Sequence, residues 1–145
     1  MHLTRYTDFS LRVLIYLAAE GDRLTTIQEI ADSYEISKNH LMKVVHQLNK
    51  KGYIETVRGK KGGMRLRMAP KDISIGQLVR ETEQDLDIVE CFTAQSTCKI
   101  TPVCGLRQIF GEALTAFLEV LDKYTLADVI SDQHRPQLLQ LLQIA

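Results

Sequence analysis

Proline and glycine are scarce, at 3 and 8 of 145 residues, which excludes a collagen-like or a Pro/Gly-rich disordered chain. Cysteine is scarce and odd in number, at 3, so a complete disulfide framework cannot form, and a chain of this length with a core of its own does not need one. A reducing compartment fits, and the chain reads as cytoplasmic. No apolar run reaches the ~20 residues of a membrane span. The nearest, Leu11 to Ala19, follows Arg5 and Arg12 in the manner of a leader, but Asp8 lies inside it and Glu20 stands where cleavage needs a small residue. It reads as a buried helix, with no membrane as partner. A surplus of charge is also missing, with 18 basic against 18 acidic side chains. That neutrality is the sum of two opposite halves. Residues 1–72 carry 13 basic and 8 acidic groups, a net of +5, while residues 73–145 carry 5 and 10, a net of −5. Such asymmetry points to one half that meets a polyanion. What is present, 45% hydrophobic and 25% charged residues, suffices for one domain, or a small domain with an appendage, and excludes two large ones.

Along the basic half, Thr7 or Asp8 is a candidate N-cap for a helix through residue 19, with Leu11, Leu14, Ile15 and Ala18 as its apolar stripe. Thr26-Ile27-Gln28-Glu29 has the form of a capping box and starts a short helix ending near Ser33 or Tyr34. Ser37 is placed to cap a third helix with Leu41, Val44, Val45 and Leu48 on one face and Gly52 as its stop. Tyr53 to Val57 and Met64 to Met68, around a Gly59–Gly63 turn, predict a β-hairpin. Three helices followed by a hairpin is the order of a winged helix-turn-helix. The expected fold is therefore mainly α with a small β-hairpin wing, its DNA-binding domain covering residues 1–72.

Residues 73–145 begin with a helix capped by Ser74, then an acidic stretch and a polar loop that holds all the cysteines. Gly105 to Asp122 follows as a long helix with Leu106, Phe110, Ala113, Leu114, Phe117 and Leu121 on one stripe, and Ile109, Ala116 and Val120 beside it. So wide an apolar arc needs two surfaces to cover it, the N-terminal domain and the same helix of a second subunit. This half is expected to carry the cysteine loop and a C-terminal dimerisation helix. A short helix capped by Thr125 and a Leu- and Gln-rich tail complete it.

Burial of one face of the third helix leaves Lys38, Asn39, Met42, Lys43, His46, Gln47, Asn49 and Lys50 facing outward. In helix-turn-helix docking the N-terminal residues of the second helix of the pair enter the major groove of double-stranded DNA, here Ser37, Lys38, Asn39 and His40, with Lys43 beyond them. Asn39 suits a bidentate contact with adenine. The hairpin adds Arg58, Lys60, Lys61, Arg65 and Arg67, donors for phosphates or the minor groove.

Cys91, Cys98 and Cys104 are spaced C-x6-C-x5-C. Simple burial fits poorly with the polar residues around them, and structural zinc prefers gaps of about two to four residues. A thiol switch would pair two cysteines and leave one over. An iron-sulfur cluster suits wider loops and soft thiolates, yet takes four ligands, so three cysteines leave one iron open to another donor or to a small molecule. Cluster, thiol switch and zinc stay open on spacing alone. No histidine lies near the loop, and His2, His40, His46 and His134 show no ligand spacing, so a cysteine-based enzyme is not expected.

The YxxxxRGKxGGxRL wing from Tyr53 to Leu66, the cysteine loop ending Thr101-Pro102-Val103-Cys104, and the opening LTRYTDFSLRVLIYLA together resemble the IscR and NsrR family of bacterial iron-sulfur repressors. The resemblance extends to the LDKYTLADVI segment and is stronger to the nitric-oxide-sensing NsrR branch. It implies a homodimer whose long helices pair, and a two-iron or four-iron cluster on Cys91, Cys98 and Cys104. It also implies repression of an operator that is released when nitric oxide reacts with the cluster. The branch takes its fourth ligand from an aspartate at the start of the partner's first helix, which matches Asp8; the residue itself also reads as an N-cap or as an i, i+4 partner of Arg12. The IscR branch uses a histidine three residues after the last cysteine, where this chain has Arg107. An IscR-like regulator of iron-sulfur status and a metal-free thiol-based redox repressor are the alternatives.

Overall fold

A computed structural model describes residues 1–144. Helices α1 (Arg5–Glu20), α2 (Ile27–Tyr34) and α3 (Lys38–Lys50) precede a hairpin of β1 (Ile54–Val57) and β2 (Gly63–Leu66). Then come α4 (Ile75–Thr82), α5 (Gly105–Asp122), α6 (Leu126–Val129) and α7 (Arg135–Leu141). The expected mainly helical fold with a hairpin wing is the one observed.

Helix α1 starts earlier than expected, because its N-cap is Thr4 and not Thr7 or Asp8. Thr4 Oγ1 accepts from Thr7 N at 3.3 Å, while Thr4 N and Oγ1 both donate to the Glu83 carboxylate at the end of α4, at 3.0 and 2.7 Å. A distant acid thus completes the cap. Thr7 is instead fully buried, sharing a 2.8 Å hydrogen bond with Thr82 of α4. The buried arc of α1 is correspondingly rotated. Val13, Leu14, Leu17 and Ala18 are buried, while Leu11 and Ile15 of the expected stripe are only half-buried. Helix α1 has neighbours on several sides, so no single stripe describes it.

The Thr26 capping box forms as its spacing predicts, with Glu29 N donating to Thr26 Oγ1 and Thr26 N to Glu29 Oε2. Ser37 occupies the N-cap of α3 but makes no side-chain cap bond, which leaves its hydroxyl free at the surface. The hairpin is antiparallel, with Ile54 opposite Leu66 and Glu55 opposite Arg65; its strands start and end within two residues of the expected limits. Thr25 extends the ladder, exchanging backbone bonds of 2.9 and 2.8 Å with Met64. This crossing holds the wing against the helices. A Cβ on Gly63 would sit 2.9 Å from Thr25 O, so the approach requires glycine there.

One core joins both halves of the chain. Leu14, Leu17, Ile30, Leu41, Leu48 and Ile54 pack in the same cluster as Ile73, Leu78, Leu126 and Leu142. The expected boundary at residues 72 and 73 therefore falls inside a continuous apolar interior. Helix α5 sits outside it, packed along α4. Arg80 and Asp122 form an ion pair between these helices, and Ile75 N donates to Tyr124 O at 3.0 Å. Leu118 is the buried residue of α5, with Leu114 and Leu121 half-buried beside it, so the inward stripe is 114, 118, 121. Leu106, Ile109, Phe110, Phe117 and Val120 from the expected stripe remain exposed on the other side. The first covering surface is α4, and not the helix-turn-helix itself. Among the described residues, no helix is long and apolar enough to cross a membrane.

Candidate nucleic-acid interface and cysteine loop

The turn between α2 and α3 is made by Glu35, held in the left-handed region at φ 56°. Ile36 N closes it by donating to Ala31 O at 3.0 Å. Four inward residues of α3, Leu41, Val44, Val45 and Leu48, are buried, which fixes the rotation of the helix and turns the others out. Ser37, Lys38, Asn39, His40 and Lys43 are all exposed. The His40 ring lies 6.3 Å from that of Phe9, so the start of α3 touches α1. On the wing, Arg58, Lys60 and Lys61 are exposed together at the turn. Arg65 differs from them: its Nε donates to the Glu55 carboxylate directly across the strand at 2.6 Å. A part of the wing's charge is thereby neutralised within the hairpin.

The three thiols are free. Cys91 lies in a short 3-10 turn, Glu90–Phe92, and Cys104 occupies the N-cap position of α5 after a second such turn, Thr101–Val103. Cys98 is exposed between them; the other two are half-buried. Local bonds hold this segment: Thr101 Oγ1 donates to Cys98 O at 2.9 Å, and Arg107 Nε to Cys91 O at 3.2 Å. An open depression of about 600 Å³ borders Cys104, lined by Phe92, Pro102, Arg107, Gln108 and Thr115. Among the described residues, no three Cys, His, Asp or Glu side chains converge as a metal site within the single chain. The donor set nonetheless fits a cluster in kind: three free, partly exposed thiols on one polar loop held by short turns and the Arg107 bond.

Asp8 lies on α1, away from any cap, and makes a two-pronged ion pair with Arg12, at 3.3 Å from Nε and 3.0 Å from Nη2. The i, i+4 spacing had signalled that pair. What spacing did not signal is the setting of Arg12, whose guanidinium stands 5.6 Å from the Phe9 ring centroid and 5.8 Å from that of Tyr34. Tyr34 Oη also donates to Arg12 O at 3.0 Å. Burial pushes the Tyr34 phenol up to about 12, against a smaller opposing pull from Arg12. Asp8, Arg12, Phe9 and His40 thus run without a break from α1 to the first turn of α3.

Residues 3–132 match the Rrf2 family, described as iron-dependent transcriptional regulators. The chain is 55% identical to the HTH-type transcriptional regulator NsrR of Bacillus subtilis (strain 168), covering 99% of each chain. It is 53% identical to the regulator of the same name from Geobacillus kaustophilus, covering 92% of each. In structure it is similar to CymR, the global cysteine regulator of B. subtilis, with a TM-score of 0.71 and 25% identity over 89% of this chain and 95% of that one. The fold of T. potens IscR is also similar, with a TM-score of 0.75 over 94% and 91% of the two chains at 24% identity.

Proposed function

The chain belongs to the Rrf2 family of transcriptional regulators, and from that premise we propose that it is a homodimeric, cytoplasmic repressor of double-stranded DNA operators that senses nitric oxide through an iron-sulfur cluster. It is a regulator and not an enzyme. Cys91, Cys98 and Cys104 hold the cluster, and the partner subunit's Asp8 supplies the remaining ligand. When bound, the cluster supplies iron that nitric oxide can attack. The observation that carries this reading is the grouping of three free thiols on one loop at the foot of the exposed apolar helix α5.

The chain's own residues do the rest. Ser37, Lys38, Asn39, His40 and Lys43 face the major groove, while Arg58, Lys60 and Lys61 take phosphates from the wing. Arg65 is a weaker contributor, since Glu55 already holds it. The Asp8 carboxylate cannot serve Arg12 and a metal ligand role fully at once. Giving it up leaves the Arg12 guanidinium against Phe9 and Tyr34, and Phe9 bears on His40. The occupancy of the cysteine loop is in this way felt at the reading helix. A coupling of ~1–3 kcal/mol between the two sites changes operator affinity by about 5- to 150-fold.

The test is the visible absorption of protein purified without oxygen. Charge-transfer bands that fall away when any one of Cys91, Cys98 or Cys104 is replaced by serine are expected. A colourless protein that binds stoichiometric zinc, or one whose bands survive all three replacements, would contradict the cluster.

A further inference from the structure

We infer that Met42 reads the methyl group of a thymine in the major groove and so sets part of the sequence preference of this regulator. The inference rests on α3 being the groove-facing helix, as proposed above. Every other outward position of α3 is polar or charged. Met42 is 49% exposed and belongs neither to the buried core nor to the apolar residues packed against it. So large an apolar side chain held in water on a rigid helix contributes little to folding. Of its neighbours one turn away, Lys38 and Asn39 before it and His46 after it are exposed, while Val45 is buried. It therefore stands beside Asn39 on the reading surface, on the flank nearer the core.

Base-edge chemistry assigns the contact. Among the four bases only thymine presents a methyl group in the major groove, and apolar side chains are its natural partners. Asn39 suits adenine, whose complement is thymine, so Asn39 and Met42 one turn apart fit neighbouring A·T pairs. The unbranched thioether has three rotatable bonds and adapts to a step that a β-branched residue could not reach. Loss of one buried methyl contact corresponds to about fourfold in affinity per half-site.

The experiment selects bound duplexes from a randomised pool with the full-length, anaerobically purified protein, then replaces each thymine in turn by deoxyuridine, which lacks only the methyl group. Affinities are measured for the wild type, Met42→Ala and Met42→Gln, with thermal melting as a check that each variant folds. The expected result is one thymine per half-site whose replacement costs the wild type about fourfold and costs Met42→Ala nothing. Met42→Gln should instead prefer adenine at that position. Equal binding of every deoxyuridine duplex by the wild type would overturn the inference, as would an unchanged methyl effect in Met42→Ala. Recovery of no preferred sequence at all would overturn the groove-reading assignment of α3, and this inference with it.

Discussion

Gly76 shows how a single position fastens the two parts of the molecule. A Cβ there would press on the Asp122 carboxylate and stand 2.9 Å from its backbone nitrogen. The side chain can swing aside only by leaving Arg80, and the backbone cannot move without α5. Gly76→Ala should therefore cost about 1–3 kcal/mol in urea unfolding, the usual range for overpacking. Asp8 is the opposite case. Its ion pair is half-exposed, and such pairs contribute only about 0.3–0.5 kcal/mol on a helix. Asp8→Ala should leave the melting midpoint of cluster-free protein almost unchanged while shortening the time for which a reconstituted cluster survives in air. An equal lifetime in the two proteins would remove Asp8 from the ligand set. Tyr34 supplies a pH signature. Its folded value of about 12 lies above its unfolded one near 10, so its contribution is complete below pH 10 and is lost as pH rises towards 12. Tyr34→Phe should flatten that part of the alkaline limb of a stability-against-pH curve.

At the scale of elements, the wing acts through its charge. Lys61→Ala removes one phosphate contact per subunit and two per dimer, so the slope of log affinity against log salt should become shallower by about 1.8. A slope unchanged in Lys61→Ala would place that lysine off the DNA. The elements themselves were largely legible, because their signals are local. The bounds of α5, the Thr26 capping box and the buried face of α3 all follow from periodicity and spacing within a few turns. Where the reading was displaced, the deciding partner lies far along the chain. Thr4 caps α1 through Thr7 N, but the Glu83 carboxylate that holds Thr4 in place comes from the end of α4, 79 residues away, and no local rule connects the two. The partial neutralisation of Arg65 depends on the register that sets it opposite Glu55. Leu118 is buried because α4 approaches α5 from that side, a fact of packing that the apolar arc alone could not rank. Of the site, residue types and exposure were legible, while the aromatic setting of Arg12 required Tyr34 to be brought over from α2.

For the whole molecule, the spacing of Leu106, Ile109, Phe110, Phe117 and Val120 along the outer side of α5 leaves an exposed apolar seam that none of the described residues covers. On the proposed reading a second copy covers it. Phe117→Lys should yield a monomer in sedimentation and lose operator binding, since two half-sites about 34 Å apart need two linked reading helices. On the same reading the cysteine loop, which runs into α5 at Cys104, and the partner subunit's Asp8 couple the state of the loop to the spacing of the two reading helices. The most direct measurement adds nitric oxide, in steps up to a few equivalents per cluster, to the anaerobic complex of loaded protein and operator while anisotropy reports occupancy. Release should track the loss of the cluster's absorption bands, with no response to the gas in a protein with all three cysteines replaced by serine. Occupancy that stays constant while the bands disappear would contradict it.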